Sequence, residues 1–391
     1  MTKRPDDICP RPERLPPQPT WPMAMPIYPS SVWSCDSTTQ AEEILEGQET
    51  GYVYQRDRHP NADVFAEKCC ELHHAAQAVV TSSGMAAMAA AIVSQVSQGD
   101  HLVVSNQLYG RSLQLLTGEC ARLGIASDLV DTCDLTATAA AIRPETKLVI
   151  VETIANPLLR VADIAALAAV AHQQGAWLLV DNTFATPVIC QPLELGADFV
   201  VESVSKMMNG HSDVMLGALL GHEANWQRVP LVTSTWGFSS SPFDCWLATR
   251  GLATLHLRAE RACANALQVA EYLAGHSQVA GVEYPGLVDH VDHGLARRQF
   301  QNGYGAMVTF HLRGDRTAAD QFIEAARNIP FSPSLGEVST SLSHPASTSH
   351  RGLSLSERER LGIRDATIRL SVGTESEEFV LNLLREALAP T

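Results

Sequence analysis

The segment LVIVETIANPLLRVADIAALAAVAHQQGAWLLVDNTFATPVICQPLELGADFVVESVSK, residues 148–206, decides the fold class of this chain. Three short apolar runs within it, rich in β-branched residues, predict buried strands at Leu148–Val151, Trp177–Val180 and Phe199–Val201. Between the first two runs, Asp163–Gln174 has the acidic cap and the length of a helix, and Gly175 ends it. Buried strands that alternate with helices predict parallel β-α-β units with right-handed crossovers.

The same alternation extends outward from this segment in both directions. Toward the N-terminus it predicts helices at Ala62–His74, Gly84–Gln98 and Arg111–Leu123, and strands at Ala78–Val80 and Leu102–Val104. Toward the C-terminus it predicts a strand at Val214–Leu220 and one long helix at Pro242–Gly275, followed by mixed strands and helices. The predicted fold is α/β, with a mostly parallel sheet covered by helices on both faces and a smaller α+β C-terminal domain.

Proline separates the start of the chain from this alternating region. Nine prolines lie between residues 5 and 29, and proline is excluded from long helices and central strands. We therefore predict an extended N-terminal arm over 1–58, a large domain over 59–250 and a C-terminal domain over 251–391. The apolar residues between Trp21 and Trp33 favour an arm that lies along another surface.

The composition disfavours several classes of function. The formal net charge of −15 argues against a nucleic-acid-binding surface, which needs clustered lysine and arginine. No apolar run is long enough to span a bilayer and the N-terminus lacks the apolar middle of a secretory signal, so we expect a cytoplasmic protein without membrane contact. The nine cysteines form no C-x-x-C pair and lack metal-ligand spacing, which favours reduced thiols and no metal site.

Three predicted strand ends carry polar residues, and ligands of open α/β sheets bind at the carboxyl ends of strands. The segment Ser83-Gly84-Met85 precedes a helix whose first amides suit a phosphate, although a serine there is more often only a cap. Asp181 is costly to bury unless it is paired, and a protonated pyridine nitrogen would pair with it; alternatively it caps a turn. Lys206 follows the next strand, where a desolvated amine could attack an aldehyde, although a lone lysine is more often solvated.

The combination of these three strand ends points to pyridoxal 5′-phosphate (PLP), which carries a phosphate, a pyridine ring and an aldehyde. Ser203 and Ser205, just before the lysine, offer two further hydroxyls to the phosphate. Tyr109 follows another predicted strand and could stack on a flat ring, although periodicity alone favours core packing for it.

Nine segments then occur in order between about residue 26 and the C-terminus. They are Gly51–Arg56, Ser83–Met85, Tyr109-Gly110, Glu152–Pro157, Val180–Phe184, Ser203–Asp213, Ser334–Gly336, His344–Ala346 and Arg369–Glu375. With these segments the chain resembles the Cys/Met-metabolism PLP enzymes. That family includes cystathionine γ-synthase, cystathionine γ- and β-lyases, methionine γ-lyase and the O-acylhomoserine sulfhydrylases.

The resemblance implies PLP fold type I and a role for each matched residue that faces the cofactor. Lys206 would bind PLP covalently and move protons, Asp181 would pair with the pyridinium nitrogen, and Tyr109 would stack on the ring and serve as an acid or base. The remaining cofactor-binding residues would be Ser83, Gly84, Met85, Ser203 and Ser205 at the phosphate and Asn156 near the ring hydroxyl.

The resemblance also implies residues for the substrate and for a partner subunit. Arg369 and Ser334 would bind the substrate α-carboxylate, Arg369 through a two-point contact. The family's assembly implies a homotetramer of two active dimers, in which Tyr54 and Arg56 complete the site of the neighbouring subunit.

Four departures from the family's common patterns bear on the substrate. Arg111 follows Tyr109-Gly110 where methionine γ-lyases carry cysteine, which argues against that activity. Pro333 and Ser339 stand where acidic residues are common, and Arg58-His59 replaces the usual Gly-Asn pair. Arg111 either binds a distal carboxylate of the substrate or faces solvent, and the sequence leaves both open.

The implied function is a β/γ-elimination or γ-replacement on a sulfur-containing amino acid or an O-acylhomoserine, as in cystathionine γ-lyase or γ-synthase. Cystathionine β-lyase and O-acylhomoserine sulfhydrylase are the alternatives within the family. A fold type I aminotransferase is a more distant enzyme alternative, and a binding module with an inactive cofactor pocket is the non-enzyme alternative.

Overall fold

The computed structural model describes residue 20 and residues 22–389, and within them the chain forms two β-sheets. The strands are β1 (Gln77–Thr81), β2 (His101–Ser105), β3 (Ala126–Val130), β4 (Thr146–Glu152), β5 (Trp177–Asp181), β6 (Phe199–Glu202), β7 (Gly217–Gly221), β8 (Val279–Glu283), β9 (Met307–Leu312), β10 (Ser341–Ser343) and β11 (Thr367–Ser371).

The α-helices are α1 (Thr38–Leu45), α2 (Pro60–His73), α3 (Gly84–Gln95), α4 (Gly110–Gln114), α5 (Leu135–Ala141), α6 (Ile164–Gln173), α7 (Thr186–Ile189), α8 (Val229–Thr235), α9 (Pro242–Leu252), α10 (Leu255–Ala274), α11 (His293–Gln299), α12 (Arg316–Ala325), α13 (Leu355–Arg360) and α14 (Glu377–Ala387). After α4 the chain continues as a π-helical turn (Leu115–Glu119) and a short α-helical turn (Cys120–Arg122).

The larger sheet has the strand order β1-β7-β6-β5-β4-β2-β3. Strands β2 to β6 run parallel, and β7 is antiparallel to both of its neighbours, so the predicted mostly parallel sheet is confirmed. The register places Glu152 of β4 beside Asp181 of β5, and Asp181 beside Val201 of β6. The carboxyl ends of these three central strands therefore meet at one edge.

Helices cover both faces of this sheet because its central strands are apolar on both sides. Val149 and Val151 of β4 belong to the core on the face of α2 and α6, and Leu148 and Ile150 belong to the core on the face of α3. None of these four side chains is exposed. The continuous apolar run in the sequence thus corresponds to a strand that is buried on both faces.

The smaller sheet has the antiparallel order β10-β11-β9-β8 and packs against α10, α12 and α14. Phe310 of β9 is fully buried in this core, and its ring lies edge-on to Phe322 of α12 with 5.5 Å between the centroids. This antiparallel sheet and its helices form the expected α+β C-terminal part.

The helix α10 belongs to both cores. Its first half, including Leu255 and Ala262, packs in the core of the larger sheet, and its second half, including Val269 and Leu273, packs in the core of the smaller one. The boundary predicted at residues 250/251 lies just before this shared helix and stays a prediction.

Two predicted elements differ from the structure, and one strand is missing from the prediction. Pro242–Gly275 is not one helix but two, because the chain turns at Ala253-Thr254 and the carbonyl of Gly251 accepts a hydrogen bond from Arg258. Arg111–Leu123 contains the π-helical turn at its centre. The strand β3 was not predicted, because it is a half-exposed edge strand whose polar residues weaken the strand pattern.

The described part of the N-terminal arm contacts the helices of the larger sheet through its backbone, while the apolar side chains of Met23, Ile27 and Val32 are exposed. Asn61 of α2 accepts from the amide of Tyr28 and donates to the carbonyl of Pro26, and the Trp246 indole of α9 donates to the carbonyl of Met25. The arm also contains α1, which begins after the last proline and is capped by the Ser37 hydroxyl. The remaining arm residues, 1–19 and Trp21, lie outside the described part.

Within residues 22–389 none of the helices has the length and apolarity needed to cross a membrane. The same residues contain no group of three or more side chains that could hold a metal ion.

The buried Phe310 allows a test of the smaller core. We expect Phe310→Ala to lower the free energy of unfolding by about 3–5 kcal/mol, because it removes a fully buried ring and leaves a cavity. Denaturant titration followed by circular dichroism would measure it. Phe379→Ala in α14, whose side chain is half exposed, is the control and should change stability by less than about 0.5 kcal/mol. Equal losses in the two variants would contradict the assigned core.

Candidate active site

Lys206 lies in an irregular turn that follows β6. Its amide donates to the carbonyl of Ser203 at 3.0 Å, and its Nζ donates to the Ser334 hydroxyl at 3.0 Å. Burial lowers the pKa of the Lys206 amine; the nearby Arg369 cation lowers it further, and Glu337 partly opposes the shift. Because a lower pKa leaves more of the amine neutral at a given pH, the side chain is suited to nucleophilic attack.

Two residues from other elements fix this turn. The buried guanidinium of Arg258 in α10 donates to the carbonyls of Met207 and Met208 at 2.6 and 3.0 Å. Gly336 has a positive φ of 82° and packs so closely against the backbone of Lys206 and Met207 that an added Cβ would collide with it. The turn is thus held by a helix on one side and by the Ser334–Gly336 loop on the other.

The start of α3 lies against the same turn. The Ser83 hydroxyl caps the helix by accepting from the amide of Ala86 at 3.1 Å. A Cβ on Gly84 would lie 2.8 Å from the Cβ of Ser203, so glycine permits this close approach. The amides of Gly84 and Met85 lie in the first turn of the helix, where they have no helical carbonyl to bond, and they suit an anion.

The hydroxyl of Ser205 is engaged within the protein. It accepts from the amide of Leu216 at 3.0 Å and donates to the carbonyl of the same residue at 3.3 Å. These bonds tie the lysine turn to the segment that leads into β7.

The side chain of Met85, in the first turn of α3, is directed toward α4, since its sulfur lies 3.8 Å from the hydroxyl of Ser112.

Two acids stand side by side at the ends of β4 and β5. Asp181 accepts from the hydroxyl and the amide of Thr183 at 2.5 and 3.0 Å, and that hydroxyl accepts from the amide of Ser203 at 2.9 Å. Glu152 accepts from the amides of Tyr109 and Asn156 at 2.6 and 3.2 Å. Burial raises the pKa of both carboxyls, and Asp181 raises that of Glu152 further. A cation placed between these strand ends would stabilise the ionised form of Asp181.

Arg369 of β11 faces the same edge and is 3% exposed. Its Nη1 donates to Asn156 Oδ1 at 2.7 Å and its Nη2 to the carbonyl of Ser334 at 3.4 Å. The Nε has no hydrogen-bond partner among the described residues, and burial lowers the pKa of the guanidinium to about 10. A buried, incompletely bonded guanidinium is suited to a carboxylate ligand.

These contacts close into a ring around the edge of the sheet. From Lys206 the contacts pass to Ser334, then to Arg369, Asn156 and Glu152. Glu152 lies beside Asp181, and from Asp181 the contacts return through Thr183 and Ser203 to the lysine turn. Tyr109 is bonded to Glu152, and Gly84 packs against Ser203. The structure therefore brings together most of the predicted cofactor and substrate residues from seven separate segments.

Three predicted residues, Tyr54, Arg56 and Arg111, lie apart from this ring of contacts. Arg56 stacks over the ring of Tyr54 at 5.1 Å, and no hydrogen bond between described residues joins either side chain to the ring of contacts. Arg56 lines a cavity of about 610 Å³ between α2, β1 and α8 that does not include Lys206. Arg111 is exposed, and its Nη1 donates to Gln114 Oε1 at 2.7 Å within its own helix.

Sequence reasoning missed several residues of the site. Glu152 ends a buried strand as Asp181 does, so the same signal could have identified it. Thr183 follows Asp181 by two residues, and an aspartate side chain commonly accepts a hydrogen bond from the backbone at that spacing in a turn. Arg258 and His350 carried no local signal: His350 is buried beside Arg369, contacts the Asn156 backbone, and has its pKa lowered to about 4 chiefly by burial.

The residues present fit PLP. The first turn of α3 beside Ser203 suits the phosphate, the buried Asp181 suits the pyridinium nitrogen, and the buried amine of Lys206 suits the aldehyde. The side chain of Tyr109 is 40% exposed and free to cover a ring.

Comparisons with known proteins agree with this arrangement. The family model described as "Cys/Met metabolism PLP-dependent enzyme" matches residues 12–389. The chain is 41% identical to the O-succinylhomoserine sulfhydrylase of Pseudomonas aeruginosa over 89% of its own length and 86% of that protein. It is 40% identical to the L-methionine gamma-lyase of Porphyromonas gingivalis, with 94% and 92% covered.

Two solved structures are similar as well. The cystathionine gamma synthase of Xanthomonas oryzae pv. oryzae, in complex with cystathionine, has a TM-score of 0.89 and 37% identity, with 94% of this chain and 92% of that one covered. A candidate O-acetylhomoserine (thiol)-lyase of Campylobacter jejuni, which carries a pyridoxyl-lysine phosphate group, has a TM-score of 0.91 and 28% identity, with 94% and 95% covered. Fold type I is thereby confirmed.

The match over nearly the whole chain and the two relatives at 40% identity or more make the family and its cofactor plain. The chain belongs to the Cys/Met-metabolism PLP-dependent enzymes, whose members are carbon–sulfur lyases and γ-synthases.

Proposed function

We propose that the protein catalyses γ-replacement on an O-acylhomoserine, with sulfide or a thiol as the acceptor. An amino-acid substrate is supported by two contacts at Ser334: Lys206 and Arg369 both form hydrogen bonds to this residue, so an amine-reactive group and a carboxylate-binding group lie close together. The choice of replacement is supported by the relatives, since the sulfhydrylase and the γ-synthase are both named for such reactions. Arg111, which stands where methionine γ-lyases carry cysteine, argues against methionine γ-lyase activity.

The residues in the ring of contacts have the following roles. Arg369 binds the substrate α-carboxylate through its guanidinium, and Asn156 and Ser334 hold that guanidinium in place. Lys206 Nζ takes the proton from the substrate α-carbon and returns protons later in the reaction, because its lowered pKa makes the neutral amine available. PLP, when bound, supplies an electron sink for the negative charge that forms on the substrate carbons.

The other residues hold the cofactor. Asp181, supported by Thr183, holds the proton on the pyridine nitrogen, and Tyr109, positioned through its amide by Glu152, covers the ring. The α3 start with Ser203 binds the phosphate. Ser205 supports this site indirectly by fixing the lysine turn to Leu216.

A substrate panel tests the proposed reaction. We expect O-succinyl- or O-acetylhomoserine to lose its acyl group at a rate that depends on added sulfide or cysteine, with a thioether or thiol product detected by mass spectrometry. Lys206→Ala is the control and should abolish turnover and the visible absorbance of the lysine-bound cofactor. Release of ammonia and 2-oxobutyrate at the same rate with and without acceptor, or turnover of methionine alone, would reject replacement in favour of elimination.

The role of Arg369 predicts a specific kinetic change. We expect Arg369→Lys to lower kcat/KM about 10–100-fold, chiefly through KM, because the two-point contact with the carboxylate is lost. Arg111→Lys, at an exposed arginine, is the matched control and should stay within about 3-fold of the unchanged protein. If Arg111→Ala instead impaired O-succinyl- but not O-acetylhomoserine, Arg111 would bind the distal carboxylate.

We also propose that Tyr54 and Arg56 complete the site of a neighbouring subunit in a homotetramer of two active dimers. Their position away from the ring of their own chain supports this assignment. We propose a cytoplasmic location as well.

Mixing two inactive variants tests the shared site. Random exchange between Arg56→Ala and Lys206→Ala subunits should restore about a quarter of the activity of the unchanged protein, because half of the dimers are hybrids and each hybrid has one complete site of two. Size-exclusion chromatography would show that exchange has occurred. Exchange without any recovery of activity would contradict the shared site.

A further inference from the structure

A second set of polar residues lies directly behind the candidate active site. Neighbouring residues in a strand point to opposite faces, so Thr153, Asn182 and Glu202 face away from Glu152, Asp181 and Ser203, which precede or follow them in sequence. Each of the three lies at the end of one of the central strands β4, β5 and β6.

These side chains are joined by hydrogen bonds across the strands. The hydroxyl of Thr153 donates to Asn182 Oδ1 at 2.7 Å, and Asn182 Nδ2 donates to Glu202 Oε1 at 3.0 Å. The same Nδ2 donates to the carbonyl of Cys190 at 3.0 Å. His73, from the end of α2, places its Nε2 at 3.4 Å from Glu202 Oε1. We refer to Thr153, Asn182, Glu202 and His73 as the rear network.

All four side chains of the rear network are fully buried. Burial lowers the pKa of His73 to about 3 and raises that of Glu202 well above its usual range, with Asp181 raising it further. An imidazole and a carboxyl that are both neutral avoid the cost of burying two ions. His73 Nδ1 and Nε2 and Glu202 Oε2 have no hydrogen-bond partner among the described residues, which is costly in a core.

The rear network stands one residue away from each cofactor-facing group. Backbone hydrogen bonds join the strand ends at these residues. The Asn182 amide donates to the carbonyl of Val201, and the Thr153 amide donates to the carbonyl of Asp181. A side-chain link between strand ends at the rear therefore sets the distance between the groups at the front.

We propose that the rear network is a positioning device for the cofactor, which acts through hydrogen bonds and not through charge by fixing the spacing of the ends of β4, β5 and β6. Glu202 is its central member, since it accepts a hydrogen bond from Asn182 and lies against His73. This inference rests on the proposed cofactor roles of Asp181 and Ser203 but not on the proposed substrate.

The test compares three variants of the network as holoenzyme and after removal and re-addition of PLP. Glu202→Gln keeps a hydrogen-bonding side chain of the same shape, Glu202→Leu removes it, and Thr153→Val removes one hydroxyl with little change of volume. Glu194→Leu is the matched control, because Glu194 makes a half-exposed pair with His74, the residue next to His73. The readouts are the Kd for PLP and the pH midpoint of the visible absorbance of the lysine-bound cofactor, both measured without substrate.

We expect Glu202→Leu to weaken PLP binding about 10–100-fold and to shift the pH midpoint, as is typical when a supporting residue behind a ligand group is lost. Thr153→Val should change both readouts in the same direction but less, and it keeps the test informative if Glu202→Leu does not fold. Glu202→Gln and Glu194→Leu should match the unchanged protein.

Two results would overturn the inference. If Glu202→Leu and Thr153→Val lower only the unfolding temperature and leave the PLP Kd and the pH midpoint unchanged, the network serves packing alone. If Glu202→Gln is as impaired as Glu202→Leu, the network depends on a charged carboxylate and not on hydrogen bonding. Because no substrate is present, neither result bears on the proposed γ-replacement.

Discussion

The guanidinium of Arg258 holds the turn that carries Lys206, and the remaining site geometry depends on this contact. The turn leaves a buried strand without forming a helix or a further strand, so its carbonyls need partners from elsewhere. Arg258 donates to Met207 and Met208 in the turn and to Gly251 at the end of α9. A mobile turn would separate Lys206 from Ser334, and through Ser334 from Arg369.

Burial of acids at neighbouring strand ends is the second constraint on the site. Glu152 and Asp181 lie side by side at the front, and Glu202 lies behind, all with pKa values raised by burial. Backbone amides bond Glu152, Thr183 bonds Asp181, and Asn182 bonds Glu202, so each acid has its own means of support. Of the three, Asp181 is the acid that a cationic ring would ionise.

Sequence reasoning reached the fold class and the family because both leave local signals. The apolar runs of β4, β5 and β6 and the polar residues that follow them could be read directly, and the order of motifs identified the family. It did not reach β3, whose half-exposed edge position blurs the pattern, or the break between α9 and α10, which depends on a side chain from the next helix. Arg258 and His73 also escaped it, because each contacts the site through a distant segment and looks ordinary within its own helix.

The shared helix α10 has a mechanical consequence. Since one continuous helix is embedded at its start in one core and at its end in the other, the two parts cannot rotate freely about a flexible joint. A change in this helix would therefore act on the packing of both cores at once.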